Sequence, residues 1–226
     1  MTKDIQNIYS RLLRNITIMK YKPGTKLGEV EISEKYHVSR TPIRDVFKQL
    51  ESDGLLEIRS KSGSFVTKIN LCDISDHMFI RSAIENQVLQ EVKGKLTEAD
   101  IKYLRRNLIS QEKITFNKTF STPEAYASAI FDLDNDFHKY IFTKVNKGSV
   151  LQLINDETPC YQRFRFLSFL RDDNDINGLL KIHNEMLSAI ENNEECQLAE
   201  IVHKHNYSIF EGVDKIKGRH PDFFVD

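Results

Sequence analysis

The sequence predicts a mainly α protein: an N-terminal winged helix-turn-helix with a small β hairpin, followed by an all-α antiparallel helical bundle. Three observations carry that prediction. Residues 28–69 hold two short amphipathic segments and then two β-like runs, the order of a winged helix. From residue 74 onward, apolar residues recur at i, i+3 or i+4 through segment after segment. The charge also changes sign at this border. Residues 1–70 carry 13 Lys+Arg against 8 Asp+Glu, a net of +5, and the remainder carries 19 against 25, a net of −6. A basic segment joined to an acidic one suggests two modules, residues 1–70 and 71–226, the first with a polyanionic partner.

Residues 4–20 place Ile5, Ile8, Leu12, Leu13, Ile16 and Met19 at helical spacing, and Pro23-Gly24 stops that helix. A short helix over 28–36 turns Ile32 and Tyr36 inward, and His37-Val38 connects it to the next. Ser39 suits the N-cap of a helix over 39–52, with Pro42 in the first turn, where its missing N–H costs nothing. Val46, Phe47 and Leu50 face the core until Asp53-Gly54 closes the helix. Strands follow at 55–59 and 64–69, joined by a tight turn at 60–63. The bundle is expected as helices over 74–94, 98–115, 123–145, 149–172, 176–192 and 195–216. Their breaks fall at Gly94, 121–123, 146–148, 172–175 and 192–193. Thr97 with Asp100 three residues on resembles a capping box.

Composition narrows the class further. The chain has 226 residues, is 40% hydrophobic and 29% charged, and carries a formal charge of −1, so it can bury a core and is not a disordered chain. No run approaches the ~18 apolar residues of a membrane span. The N-terminus shows no apolar signal region, and three cysteines without CxxC spacing suit reduced thiols. A cytoplasmic protein without a membrane partner is expected.

In a winged helix the second helix of the pair enters the major groove of double-stranded DNA. Here it opens Ser39-Arg40-Thr41-Pro42-Ile43-Arg44. A helix start aims N–H groups at phosphate, and the hydroxyls of Ser39 and Thr41 add hydrogen bonds there. Arg40 and Arg44 lie one turn apart, opposite Val46 and Leu50, placed to reach guanine O6 and N7. Their competing role is a surface ion pair with an acid such as Glu51. Lys61, Ser62 and Gly63 at the wing tip would approach the adjacent backbone or minor groove. One such helix covers only a half-site, so a palindromic operator requires a homodimer.

Residues 22–66 resemble the GntR family of bacterial transcription regulators. The resemblance rests on Pro23-Gly24, Leu27, the block Ser39 to Arg44, Leu50, Gly54-Leu55 and Gly63. The chain departs from the pattern at Val30, flanked by Glu29 and Glu31, where the family often carries a basic or hydroxyl residue.

The second module holds a constellation with metal chemistry. Asp134 and His138 are four apart in FDLDNDFHKYIF, so a helix projects them from one face. His183 and His205 lie in two later helices. One carboxylate and three imidazoles suit zinc, nickel or manganese, and leave positions that a small carboxylate-bearing molecule can fill. Each histidine taken alone reads first as a surface or hydrogen-bonded core residue. Residues 74–216 resemble the FCD effector-binding domain that partners GntR modules in the FadR-type subfamily. The matches are Arg81 and Glu85, then Asp134, Phe137 and His138, then His183, Ala189-Ile190 and His205. The resemblance implies a divalent metal at Asp134, His138, His183 and His205, a small organic or sugar acid as effector, and dimer contacts from the helical module. Helix geometry turns Asp132, Asp136 and His203 away from that set. Arg81, Arg163 and Arg165 are candidates to grip the effector carboxylate. The alternative, a metal-dependent enzyme using the Asp/His₃ site, lacks a general base at diagnostic spacing, an HExxH motif or a phosphate loop.

Overall fold

A computed structural model describes residues 3–117, 120–157, 159–170, 173–192 and 194–225. The first helix, α1 (Lys3–Thr17), buries Ile8, Leu12 and Ile16. It ends three residues before the expected stop because Met19 adopts a left-handed backbone, with φ 58°. That turn sends the Met19 side chain into a different core from the rest of the helix. The helix-turn-helix comprises α2 (Glu29–Tyr36) and α3 (Arg40–Ser52), joined through His37 in the left-handed region at φ 55°. Ile43, Val46, Phe47 and Leu50 of α3 are buried against Ile32 of α2 and against α1. Each such side chain stabilises the module by roughly 1.5–3 kcal/mol.

The wing is formed by β2 (Leu56–Arg59) and β3 (Gly63–Val66), an antiparallel pair. A strand missed by the sequence reading, β1 (Lys26–Leu27), adds to β3 and gives the order β1-β3-β2. Two residues are too few for an alternation signal. Gly63 is required where it stands: its φ is +114°, and a Cβ there would lie 2.6 Å from Cε of Lys26.

The helical part begins earlier than expected, at α4 (Leu71–Val92), because Asn70 accepts a hydrogen bond from the Cys72 N–H at 3.1 Å and caps the helix. It continues with α5 (Glu98–Asn117), α6 (Pro123–Lys144), α7 (Gly148–Glu157), α8 (Pro159–Ser168), α9 (Asp173–Glu191), α10 (Glu195–Tyr207) and α11 (Val213–Arg219). The Thr97–Asp100 capping box is present before α5: the Thr97 N–H and hydroxyl both donate to Asp100. The run 149–172 is described as α7 and α8 on either side of residue 158, which lies outside the described residues. One expected helix is divided. The run 195–216 splits into α10, a 3₁₀ turn and α11, with Gly212 at φ +85° between the last two. Residues 172 and 193, within two of the predicted breaks, lie outside the described residues.

In the bundle α5 packs on α6 and α9, and α10 on α4 and α9, around a core that includes Leu104, Phe137, Ile141, Leu187 and Val202. A second core joins the two parts of the chain: Met19 and Ile69 pack with Ile74, Phe164, Phe166, Ile209 and Phe224. There the C-terminal segment runs beside the linker, and the Ile69 N–H donates to the Phe223 carbonyl at 2.8 Å. Arg14 of α1 also forms an ion pair with Asp132 of α6 at 2.7 Å. No helix among the described residues is long and apolar enough to cross a membrane.

Candidate metal centre and DNA-facing helix

Asp134 and His138 project from one face of α6, His183 comes from α9 and His205 from α10, and all four are buried. One ligand atom from each lies within 4.8 Å of every other. Nε2 of His183 is 2.9 Å from Nε2 of His205 and 3.3 Å from Oδ1 of Asp134. Nε2 of His138 is 3.9 Å from the same oxygen. That spacing approaches the span of donors around one ion with bonds of about 2.0–2.2 Å. Oδ1 of Asp134 and Nε2 of His138 are buried and have no hydrogen-bond partner among the described residues. Buried polar atoms without partners are costly, and a divalent cation at their meeting point would satisfy both. The donor set therefore fits a first-row metal.

The surroundings fix each ligand. The other Asp134 oxygen accepts hydrogen bonds from Nε and Nη2 of Arg165, which aims Oδ1 toward the imidazoles. His183 stacks on Phe137, ring centroids 4.7 Å apart. Glu85 of α4, also buried, faces Nδ1 of His138 at 3.4 Å and Nδ1 of His205 at 3.8 Å, which leaves both Nε2 atoms for the ion. Glu85 is itself held by Arg81 at 2.8 Å and by the Asn206 amide at 2.9 Å. Burial lowers the imidazoles to about 4 for His138, 3 for His183 and 4 for His205, so all three are neutral and ready to ligate at pH 7. Burial pushes the Glu85 carboxyl upward, but Arg81 and the imidazoles outweigh it and bring the group down to about 2. Asp134 is likewise held below the carboxylate range, Arg165 foremost among the groups that overcome its burial.

Beside the four residues lies a cavity of about 230 Å³ with a mixed lining. Asp134 and His205 border it, as do Arg81, Arg165, Lys204 and Asn206. Two of the three expected carboxylate-binding arginines, Arg81 and Arg165, therefore reach the cavity, each already paired with an acid. Arg163 does not, which corrects the sequence reading. Two residues along α8 from Arg165, it turns to the opposite side, where its guanidinium donates to the Thr67 hydroxyl at 2.9 Å and to the Thr67 carbonyl. It is fully buried, and burial pulls its pKa down to about 10. Sequence reasoning missed Glu85 as a partner of the imidazoles, and Lys204 and Asn206 as cavity residues. Asp132, Asp136 and His203 lie outside the set: Asp132 pairs with Arg14, Asp136 accepts from Tyr103, and His203 stacks on Tyr207 at the surface.

On the other module, Ser39, Arg40, Thr41 and Arg44 stand on the exposed side of α3, and Lys61 and Ser62 are exposed at the wing tip beside half-buried Gly63. Ser39 occupies the N-cap position but makes no capping hydrogen bond with its side chain. The acid that pairs with the arginines is Glu29, not Glu51. Glu29 Oε2 accepts from Nε of Arg44 at 2.8 Å and from Nη2 of Arg40 at 3.3 Å, while Glu51 accepts from the Ile58 N–H.

A winged helix-turn-helix joined to an all-helical domain defines a class of DNA-binding transcription regulators. Sequence profiles sharpen this: that described as "Bacterial regulatory proteins, gntR family" matches residues 4–66, and that of the FCD domain matches residues 76–207. The HTH-type transcriptional repressor RspR of Escherichia coli K12 is 30% identical over 98% of this chain and 93% of that protein. Among solved structures, E. coli McbR/YncC superposes with a TM-score of 0.74 at 14% identity, covering 97% of this chain and all of the other. A GntR-type regulator from Rhodococcus sp. RHA1 gives 0.71 at 18% identity, with 96% and 99% covered. The chain belongs to the GntR family of transcription regulators and carries an FCD domain.

Proposed function

We propose that this regulator is a cytoplasmic homodimer that binds a palindromic operator and responds to a small organic or sugar acid held at a metal-assisted site. Residues 1–70 form the DNA-binding unit, with Ser39, Arg40, Thr41 and Arg44 on the major groove and Lys61, Ser62 and Gly63 at the wing contact. Residues 71–226 form the effector-binding and dimerisation unit. The observation that carries the reading is that Asp134 and His205 belong both to the convergent donor set and to the lining of the cavity. A zinc, nickel or manganese ion at Asp134, His138, His183 and His205 would supply open coordination positions for a carboxylate, with Arg81 and Arg165 as further positive groups on the wall. The names of the relatives are those of transcriptional regulators, which favours this reading over a metal-dependent enzyme.

The test measures operator release by full-length protein, as isolated, chelated, and chelated then reloaded with each metal, against a panel of small carboxylates. At least one acid should shift operator affinity in metal-loaded protein and lose that effect on chelation. Sedimentation at micromolar concentration should show a dimer. Equal response with and without metal, or a monomer on operator DNA, refutes the corresponding part.

A further inference from the structure

We propose that Glu29 is a specificity-determining residue for DNA: it braces the recognition arginines toward base edges and keeps them off the phosphates. The proposal rests on α3 being the recognition helix, and it begins from the single carboxylate oxygen that accepts from both arginines. Glu29 sits in the first turn of α2, 11 residues before Arg40 and 15 before Arg44, so only the α2–α3 packing brings the three side chains together. The carboxylate is 30% exposed and each arginine 56%, which leaves all three groups on the face that meets DNA. Pairing with Arg44 and Arg40 holds the Glu29 carboxyl below its ordinary range, so the brace is charged at neutral pH.

The contact geometry restricts what each arginine can do. With Nε of Arg44 occupied, its remaining bidentate fork is the Nη1/Nη2 end, which can grip guanine O6 and N7 end-on. Arg40 gives one Nη2 hydrogen to the same oxygen and keeps the others. An unbraced arginine sweeps many rotamers and readily settles on phosphate, a contact that carries no sequence information. A fixed negative charge beside it raises the cost of that alternative, because the phosphate must approach the carboxylate too. Glu29 therefore lowers affinity for every sequence while narrowing the set of sequences bound well, which is discrimination against competitors by repulsion.

The experiment compares full-length wild type, Glu29→Ala, Glu29→Gln and Arg44→Ala in selection from a random duplex pool. Affinities for the wild-type selected site and for random-sequence duplex are then measured at two salt concentrations. Glu29→Ala should bind random duplex several-fold tighter, since one repelling charge is gone, and its selected-to-random affinity ratio should fall about tenfold or more. Glu29→Gln removes the charge but keeps an acceptor, so it should keep the raised random-duplex affinity and recover part of the ratio. The proposal is overturned if Glu29→Ala retains the wild-type ratio, or loses affinity equally on selected and random DNA, as a structural role would produce. If Arg44→Ala selects the same site as wild type, α3 is not the reading element, and the proposal falls with it for that separate reason.

Discussion

Acid should weaken the metal-free protein well above the pH at which its carboxylates titrate, and the three buried imidazoles supply the magnitude. An unfolded histidine titrates near 6.5. In the folded chain burial, reinforced by the neighbouring imidazoles, holds His138, His183 and His205 at about 4, 3 and 4, despite the pull of Glu85 and Asp134 in the other direction. Between pH 6.5 and 4 the unfolded chain therefore binds more protons than the folded one, and stability falls as the pH falls. Glu85 and Asp134 have depressed values, so the stability they contribute is retained throughout this window and is lost only below about pH 4. One histidine displaced this far costs about 2 kcal/mol between pH 6.5 and 5. All three are still neutral in the folded chain at pH 5, so about 2 kcal/mol is the share of one histidine, and removing one should make the slope shallower. At this chain length about 2 kcal/mol corresponds to a Tm drop of roughly 4–8 °C. The assay is thermal unfolding of chelated protein across pH 7.5 to 5, with His183→Ala as the comparison. A Tm that is flat or rising as pH falls from 6.5 to 5 refutes the reasoning, as does an identical slope in His183→Ala.

Replacing His183 or His205 by Ala should remove bound metal and the stabilisation it gives, read by elemental analysis and thermal unfolding, whereas His203→Ala should change neither. Metal affinity of the folded protein should hold as the pH falls to about 4 and drop below it, because burial keeps the imidazoles neutral, and so able to ligate, down to that range. Arg40→Ala or Arg44→Ala should weaken specific operator binding by about 1–3 kcal/mol, while Lys61→Ala should weaken all sequences alike and flatten the salt dependence, both read by titration of labelled duplexes. Arg163→Met should leave stability within about 2 kcal/mol in denaturant unfolding. Removing a buried charge that has no carboxylate partner among the described residues offsets the cost of leaving the Thr67 carbonyl without a donor.

The sequence by itself determined what is local. The block Ser39 to Arg44 announced the exposed start of α3, and spacing by four put Asp134 and His138 on one face of α6. Periodicity also ruled out Asp132, Asp136 and His203, because a helix fixes the angle between its own residues whatever surrounds it. The resemblance to the FCD pattern then singled out His183 and His205 among the remaining histidines, and the fold brings them to Asp134 and His138. Tertiary structure alone decided which faces meet. Glu85 reached two imidazoles because α4 packs beside α6 and α10, a fact no spacing within α4 encodes. Arg163 and Arg165 look equivalent in the sequence, yet two positions along a helix are about 200° apart, so one meets the cavity and the other the linker at Thr67. Glu29 rather than Glu51 took Arg40 and Arg44 for the same reason. An ion pair between elements is set by the angle and depth at which two helices pack, and a sequence pattern carries only the direction in which each side chain leaves its own backbone.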